Sequence, residues 1–163
     1  MVNVIELKKY VGYCGVYCRG CGMLRGRTIA RVAESLRELI EVYKFVHWVP
    51  EHEPIDFNFK DFKAGIDYFS DSAKGPYCQV PCKEGGGNPF CEVRKCAENR
   101  GIEFCFQCTE FPCDKLSLIL KEHPDLVKIK EIGIEKWVEE EEKRAQMGYD
   151  CHTRKYYTEA KMK

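Results

Sequence analysis

Apolar side chains recur at helical spacing in several segments of this chain. The clearest pattern spans residues 28–49, where apolar residues return every three or four positions and charged residues occupy the opposite face. Thr28 is a suitable N-cap, and Pro50 is expected to end the helix. We expect the apolar stripe to face the core; its members are Ile29, Val32, Ala33, Leu36, Leu39, Ile40, Tyr43 and Val46.

Shorter helical patterns follow. Phe59, Phe62, Ile66 and Phe69 mark a second amphipathic helix, and residues 91–100 predict a short helix that Gly101 ends. Residues 114–148 predict further helices, the last from Ile134 to Met147, with the run Glu139–Glu142 as a solvated face. The tail from Tyr149 onward is expected to be partly mobile. Sustained alternation of apolar and polar residues is missing, so the expected fold is mostly α: amphipathic helices around an irregular cysteine-rich, metal-binding centre.

Composition narrows the class of protein. The 163 residues suit a single domain covering residues 1–163, and they are 44% hydrophobic and 32% charged with zero net charge. A run of 18 apolar residues is missing, which argues against a membrane span. The opening MVNVIELKKY lacks the pattern of a signal peptide, so we expect a cytoplasmic protein. Heavy use of Glu and Lys is typical of thermophile proteins.

Cysteine provides the strongest chemical signal. Ten of the eleven cysteines fall into two clusters, at residues 13–22 and 76–113. In a reducing cytosol such clusters are more typical of metal ligands than of disulfides. The candidate metal ligands are Cys14, Cys18, Cys21, Cys78, Cys82, Cys91, Cys96, Cys105, Cys108 and Cys113. Cys151 stands apart, and we interpret it as a free, partly buried thiol without a partner.

The spacing of the cysteines favours zinc. Cys18-x2-Cys21 and Cys105-x2-Cys108 each let two sulfurs reach one tetrahedral ion, so the members of a pair are expected to share an ion. We therefore predict one or two structural zinc ions. An iron–sulfur cluster or a thiol redox role is the alternative, since thiolates serve both. The spacing Cys14-x3-Cys18-x2-Cys21 also occurs in radical S-adenosylmethionine enzymes, but the alternating strands and helices of those enzymes are not predicted here.

Catalytic residues are not recognisable in the sequence. Ser/His/Asp and paired-carboxylate arrangements are missing, and none of the four histidines is spaced with a cysteine pair. Cys18 beside Arg19 is the best candidate for a reactive thiol, because a neighbouring cation lowers a thiol pKa. An interaction module with a protein partner fits these observations better than an enzyme.

A local basic patch suggests an alternative function, the binding of a nucleic acid. Four arginines lie beside the first cysteine cluster, with Tyr13 and Tyr17 available for stacking on bases. These arginines are Arg19, Arg25, Arg27 and Arg31. Zero net charge argues against this alternative, because phosphate contacts dominate the affinity for nucleic acids.

Three segments together resemble a known family. YCGVYCRGC (13–21), CEVRKCAENRGIEFCFQCTEFPC (91–113) and IKEIGIEKWVEEEEKR (129–144) are similar in order and spacing to the cysteine-rich bacterial and archaeal proteins called DUF3795. Cys78-x3-Cys82 departs from the compact Cys-x-Gly-Cys of many members. The resemblance implies zinc binding and supplies no reaction.

Overall fold

The computed structural model describes residues 3–157, which are mostly helical, as predicted. The helices are α1 Val4–Lys8, α2 Ile29–Val42, α3 Phe45–His52, α4 Phe59–Ser70, α5 Glu92–Asn99, α6 Ser117–Glu122, α7 Asp125–Ile132 and α8 Ile134–Gln146. Two short strands, β1 Tyr149–Asp150 and β2 Lys155–Tyr156, pair antiparallel with Tyr149 opposite Tyr156. Within residues 3–157, every helix is too short to traverse the hydrocarbon core of a bilayer.

The core lies where α1, α7 and α8 meet the first cysteine cluster. Trp137 and Val138 of α8 are fully buried, and the Tyr17 ring packs edge-on against Trp137 with centroids 6.0 Å apart. Aromatic pairs of this geometry add about 0.5–1.5 kcal/mol beyond the area they bury. Because Tyr17 lies between Cys14 and Cys18, this contact ties the first cysteine cluster to the centre of the fold.

The prediction of one long helix over residues 28–49 is wrong. The chain breaks after Val42, because Lys44 adopts a left-handed conformation with φ 53°, and α3 then continues past Pro50. Aromatic contacts stabilise the break. The Tyr43 ring stacks on Phe45, and the Trp48 Nε1–H donates to the Tyr43 carbonyl at 3.1 Å, which satisfies an oxygen at the end of α2.

The prediction that the α2 stripe faces the core is also wrong for most of its residues. The helix packs mainly on α4 and buries only one narrow side, which includes Ala33 and Ile40. Leu39 is 52% exposed and Tyr43 is 62% exposed. The helices α2, α3 and α4 therefore form a hairpin-like unit beside the main core, with an apolar surface that the described part of the chain leaves open.

The acidic run in α8 is not a uniformly solvated face, contrary to the prediction. Glu139 is exposed, but Glu141 and Glu142 are each only 5% exposed. Glu141 accepts a hydrogen bond of 2.7 Å from Arg144. Glu142 accepts from groups near the first cysteine cluster, described below. Partners that are distant in sequence explain the burial of Glu142, since a buried charge is retained only when it is paired.

Other local predictions are confirmed. The second amphipathic helix is α4, with Asn58 as its N-cap, and the short helix α5 is followed by Gly101 at φ 62°. The chain from Tyr149 to Tyr157 forms a paired turn. The expected partial mobility of the tail stays a prediction. The remainder of that tail lies outside the described residues.

Candidate metal centres

The first cysteine cluster sits on a tight turn pressed against α7. The Gly12 N–H donates to the Val16 carbonyl at 2.9 Å, and the Cys18 N–H donates to the Tyr10 carbonyl at 2.7 Å. Gly15 has φ 86°, and a Cβ there would lie 2.9 Å from the Leu126 side chain. Only glycine fits both the conformation and the space. The turn thereby holds Cys14 and Cys18 next to the core.

Four cysteines from distant segments lie around this turn, although within residues 3–157 no three of their sulfurs come within 4.8 Å of one another. The Cys82 N–H points at the Cys18 Sγ, 3.5 Å away, across 64 residues of sequence. The Cys14 and Cys82 Sγ atoms each lie 3.7 Å from the place that a Cβ on Gly12 would occupy. Cys91 caps α5, since its Sγ accepts from the Arg94 N–H at 3.4 Å. We call Cys14, Cys18, Cys82 and Cys91 the first thiol group.

The electrostatics of the first thiol group follow from crowding of thiols in a buried place. Burial raises the pKa of Cys14 to about 11, and the charges of Cys82 and Cys91 act in the same direction. Burial likewise raises the pKa of Cys18 to about 12, with Cys82, Cys21 and Cys14 contributing. Without a cation the thiols of Cys14 and Cys18 stay neutral near pH 7.

Arg94 positions the loop that carries Cys82, a role that sequence spacing does not reveal. Its guanidinium is 9% exposed and donates to the carbonyls of Cys82 at 3.0 Å, Gly86 at 2.6 Å and Asn88 at 2.7 Å. A Cβ on Gly86 would lie 1.9 Å from the Val80 carbonyl oxygen. The loop is therefore folded tightly around one buried cation.

A second set of cysteines lies near the turn at Cys105. This turn is closed by the Gln107 side chain, which accepts from the Glu103 and Phe104 N–H groups at 2.9 and 3.0 Å. Burial raises the pKa of Cys105 to about 12; among the thiols, Cys14 of the first thiol group adds most to this effect, followed by Cys113, Cys96 and Cys108. We call Cys96, Cys105, Cys108 and Cys113 the second thiol group. The two members of the predicted pair Cys105 and Cys108 lie together in it.

The most compact set of donor atoms lies elsewhere. The ligand atoms of Cys21, Cys151 and His152 all lie within 4.8 Å of one another. Cys151 is buried, as expected, but the interpretation that it has no partner is wrong. The hydrogen bond from Cys151 lowers the pKa of the Cys21 thiol; burial opposes this shift, and His152 assists it. The adjacent Cys-His pair is the signal in the sequence that spacing arguments overlook.

Two of the predicted metal ligands, Cys78 and Cys21, lie outside the two thiol groups. The backbone of Cys78 pairs with the segment that follows the first cluster: its N–H donates to the Met23 carbonyl, and its carbonyl accepts from the Arg25 N–H. We place its thiol in none of the three sets above. Our grouping places Cys18 and Cys21 in different sets, although Cys21 also contributes to the raised pKa of Cys18, so the sharing of one ion within that pair stays a prediction. All eleven cysteines carry free thiols in this structure.

The four arginines beside the first cluster bond within the chain. Arg19 binds Glu142 through Nε at 2.8 Å and Nη2 at 2.6 Å, and Arg27 donates to the Ala145 carbonyl at 3.0 Å. Arg25 donates to the Gln79 carbonyl and Arg31 to the Tyr157 carbonyl. Tyr17 is only 2% exposed and is closed to stacking on a base. The basic patch therefore has a structural use.

The same ion pair bears on the reactive-thiol hypothesis. Arg19 is engaged by Glu142, and the pKa of Cys18 is raised, although a nucleophilic thiol needs a lowered one. The geometry does not favour Cys18 as a reactive thiol.

Comparison with known proteins agrees with the motifs. Residues 10–118 match the family described as "Protein of unknown function (DUF3795)". Neither curated proteins nor solved structures show a significant match to the chain. The matched range contains both thiol groups and ends before Cys151 and His152. Because it spans more than half of the sequence, the chain belongs to the DUF3795 family.

Proposed function

We propose that this protein binds zinc through its two thiol groups, that the ions are structural, and that the resulting scaffold serves as an interaction module in the cytoplasm. The observation that carries the proposal is the approach of the Cys82 backbone to the Cys18 sulfur at 3.5 Å across 64 residues. Segments from the two separate clusters thus lie side by side, as they must if their sulfurs hold a common ion.

The donor set of each thiol group fits zinc. Four thiolates at about 2.3 Å in a tetrahedron are a common structural zinc site, and such sites are closed to substrate. The ten predicted ligands divide into the two groups of four, with Cys21 and Cys78 left over. The Cys18–Cys21 pair therefore does not share an ion in this assignment, while Cys105 and Cys108 do.

A bound cation would also offset the energetic cost of ionising these buried thiols. Without one, burial and mutual repulsion raise the pKa values of Cys14, Cys18 and Cys105. A divalent ion stabilises the thiolate form, and its binding free energy then contributes to folding. The ions would join the turn of residues 11–18 to α5 and the loops that flank it.

The α2–α4 unit supports the role in protein interaction. Its exposed apolar residues include Leu39, Val42 and Tyr43, at 52, 74 and 62% exposure. Contiguous apolar surface of this kind commonly marks a site for a protein partner. The zinc-bound core would hold the α2–α4 unit in a fixed position in which a partner could bind it.

Metal analysis of the native protein tests the proposal. Mass spectrometry under native conditions should find an ion in each thiol group, and Cys18→Ser and Cys105→Ser should each remove one ion while leaving the other. Exposed His52→Ala is the matched control and should change nothing. Purification without oxygen separates the alternative: brown protein that contains iron and sulfide would replace the zinc proposal with an iron–sulfur one. Full-chain protein that takes up neither metal would refute both.

A further inference from the structure

We propose that Cys21, Cys151 and His152 form a separate metal site, which takes a zinc-class divalent ion through three protein ligands and leaves a fourth position to an exchangeable ligand such as water. This site goes beyond the two thiol groups, and it does not require them to hold ions. Two of its ligands lie outside the part of the chain that matches the family.

The separations between donor atoms suit such an ion. A tetrahedral ion with bonds of about 2.3 Å to sulfur and about 2.0 Å to nitrogen has donor atoms roughly 3.5 Å apart. The three donor atoms here lie within 4.8 Å of one another, so each pair has to approach by at most about 1.3 Å to close the site. Two thiolates and one imidazole are a donor set that zinc favours.

Backbone contacts hold the ligand-bearing segments together. The Cys151 N–H donates to the Gly20 carbonyl at 2.8 Å. The buried Asp150 carboxylate accepts from the Gly22 N–H at 2.6 Å and from the His152 N–H at 3.2 Å. A Cβ on Gly22 would lie 2.8 Å from the Asp150 carboxylate, so the close approach needs glycine. The residues beside each ligand are thus clamped across about 130 positions of sequence.

A hydrogen bond orients the imidazole. The His152 Nδ1 lies 3.1 Å from the Nε2 of His123, which is only 6% exposed, and this contact leaves His152 Nε2 as the donor for a metal. The far side of His123 faces Asp125, with 3.9 Å between Nδ1 and Oδ2. Metal-bound histidines regularly bond through their second nitrogen to a group that fixes the ring, so this chain of contacts is the expected support.

Two observations indicate that the fourth coordination position of the proposed ion is open: the site has three protein donors, and solvent can reach it. Within residues 3–157, the compact set contains these three residues and no further Cys, His, Asp or Glu. His152 is exposed, and it borders a cavity of about 580 Å³ that runs along α2 and α4 past Ile29, Val32 and Phe69. Three protein ligands with an accessible fourth position distinguish reactive zinc sites from closed structural ones.

Metal titration of full-length variants tests the site. His152→Ala and Cys151→Ser should each bind one equivalent less zinc than the wild type, whereas the control His52→Ala should bind the same amount. Since His152 is exposed, its replacement does not threaten folding, and circular dichroism will verify this. Equal zinc binding by the wild type and His152→Ala would overturn the proposal.

Two further measurements sharpen the test. Long-range ¹H–¹⁵N spectra should show the His152 Nε2 resonance shifting on zinc addition, and an unchanged resonance would overturn the site. In cobalt-loaded protein, added imidazole should alter the visible spectrum of the wild type but not of His152→Ala; an unaltered wild-type spectrum would overturn the exchangeable position. If the wild type binds one ion only and His152→Ala loses it, this site stands and the thiol-group proposal falls.

Discussion

The Tyr17 hydroxyl donates a hydrogen bond of 2.6 Å to the Glu142 carboxylate, although 125 residues separate them. The same carboxylate receives the Arg19 guanidinium at 2.6 and 2.8 Å. The first cysteine cluster is thus bonded to the last long helix through one buried acid. This relationship explains why Glu142 is buried in a run whose sequence predicts a solvated face.

Replacing Glu142 by Gln should lower the free energy of unfolding by about 2 kcal/mol, because hydrogen bonds to a charged partner are each worth about 1.5–3 kcal/mol. Arg19 keeps part of its hydration, which limits the loss. Urea denaturation of the metal-loaded protein measures the effect. Glu139→Gln, on the exposed side of the same helix, should change stability by less than about 0.5 kcal/mol. Equal effects of the two substitutions would contradict the buried ion pair.

The stabilisation by Glu142 should depend on pH. Burial acts to raise its pKa, but hydrogen bonds from Arg19, Tyr17 and Gln146 outweigh this, and the net pKa is lowered from the ordinary 4.5. A group with a depressed pKa stabilises the folded state above its unfolded pKa and loses that effect as the pH falls through its folded value. The difference in unfolding free energy between the wild type and Glu142→Gln should therefore be constant above about pH 6 and shrink below the ordinary pKa of 4.5. A difference that grows on acidification would contradict this assignment.

Gly22→Ala should destabilise the protein by about 1–3 kcal/mol, because its Cβ would lie 2.8 Å from the Asp150 carboxylate and 3.3 Å from the Thr28 side chain. Gly65→Ala is the matched control. Gly65 lies within α4, where an added methyl group would meet nothing within 4 Å, and alanine there should stabilise by up to about 1 kcal/mol. Thermal unfolding followed by circular dichroism compares the two. Destabilisation by Gly65→Ala alone would contradict the described packing.

Arg94→Ala should weaken metal binding at the first thiol group, since three carbonyls of the loop at Cys82 lose their shared donor. Leaving such buried groups unsatisfied costs about 1–3 kcal/mol each. Competition with a chromophoric chelator measures the affinity. The exposed neighbour Lys95→Ala provides the control and should bind as the wild type does. Unchanged affinity in Arg94→Ala would show that the loop does not depend on this side chain.

Ile40→Ala and Leu39→Ala distinguish the two sides of α2. Ile40 is 2% exposed, so its truncation should cost about 2–4 kcal/mol, whereas Leu39 is 52% exposed and should cost less than about 1 kcal/mol. Urea denaturation of both variants checks the ratio. A larger cost for Leu39 would mean that the outer side of the helix is covered, for example in a self-association, and sedimentation would reveal it.

Local patterns predict the helices but not their packing. The periodicity of Phe59, Phe62 and Ile66 is sufficient for α4, because an amphipathic helix depends mainly on its own spacing. The same kind of pattern misassigns α2, since periodicity shows that a stripe exists and not which element covers it. The bend at Lys44 depends on contacts among Tyr43, Phe45 and Trp48, which propensities do not include.

The sequence likewise predicts which cysteines are candidate ligands but not how they are grouped in space. Clustering and spacing are enough to single out the motif cysteines as candidates, but the division into groups depends on how loops close in space. Cys151 looks solitary in the sequence because Cys21 is distant along the chain and His123 reaches the set only through His152. The hydrogen bonds of Asp150, which bring the C-terminal turn to Gly22, have no signature in the sequence.

The separation of these ligands along the chain imposes an order on biosynthesis. Every donor of the two thiol groups precedes residue 114, whereas the set with Cys21 is completed only by residue 152. During translation, all the proposed ligands of the two thiol groups would therefore be present while the C-terminal turn is still being made. Cys21 lacks its proposed partners Cys151 and His152 until this turn has been synthesised. The site that contains Cys21 would therefore be the last of the three to form.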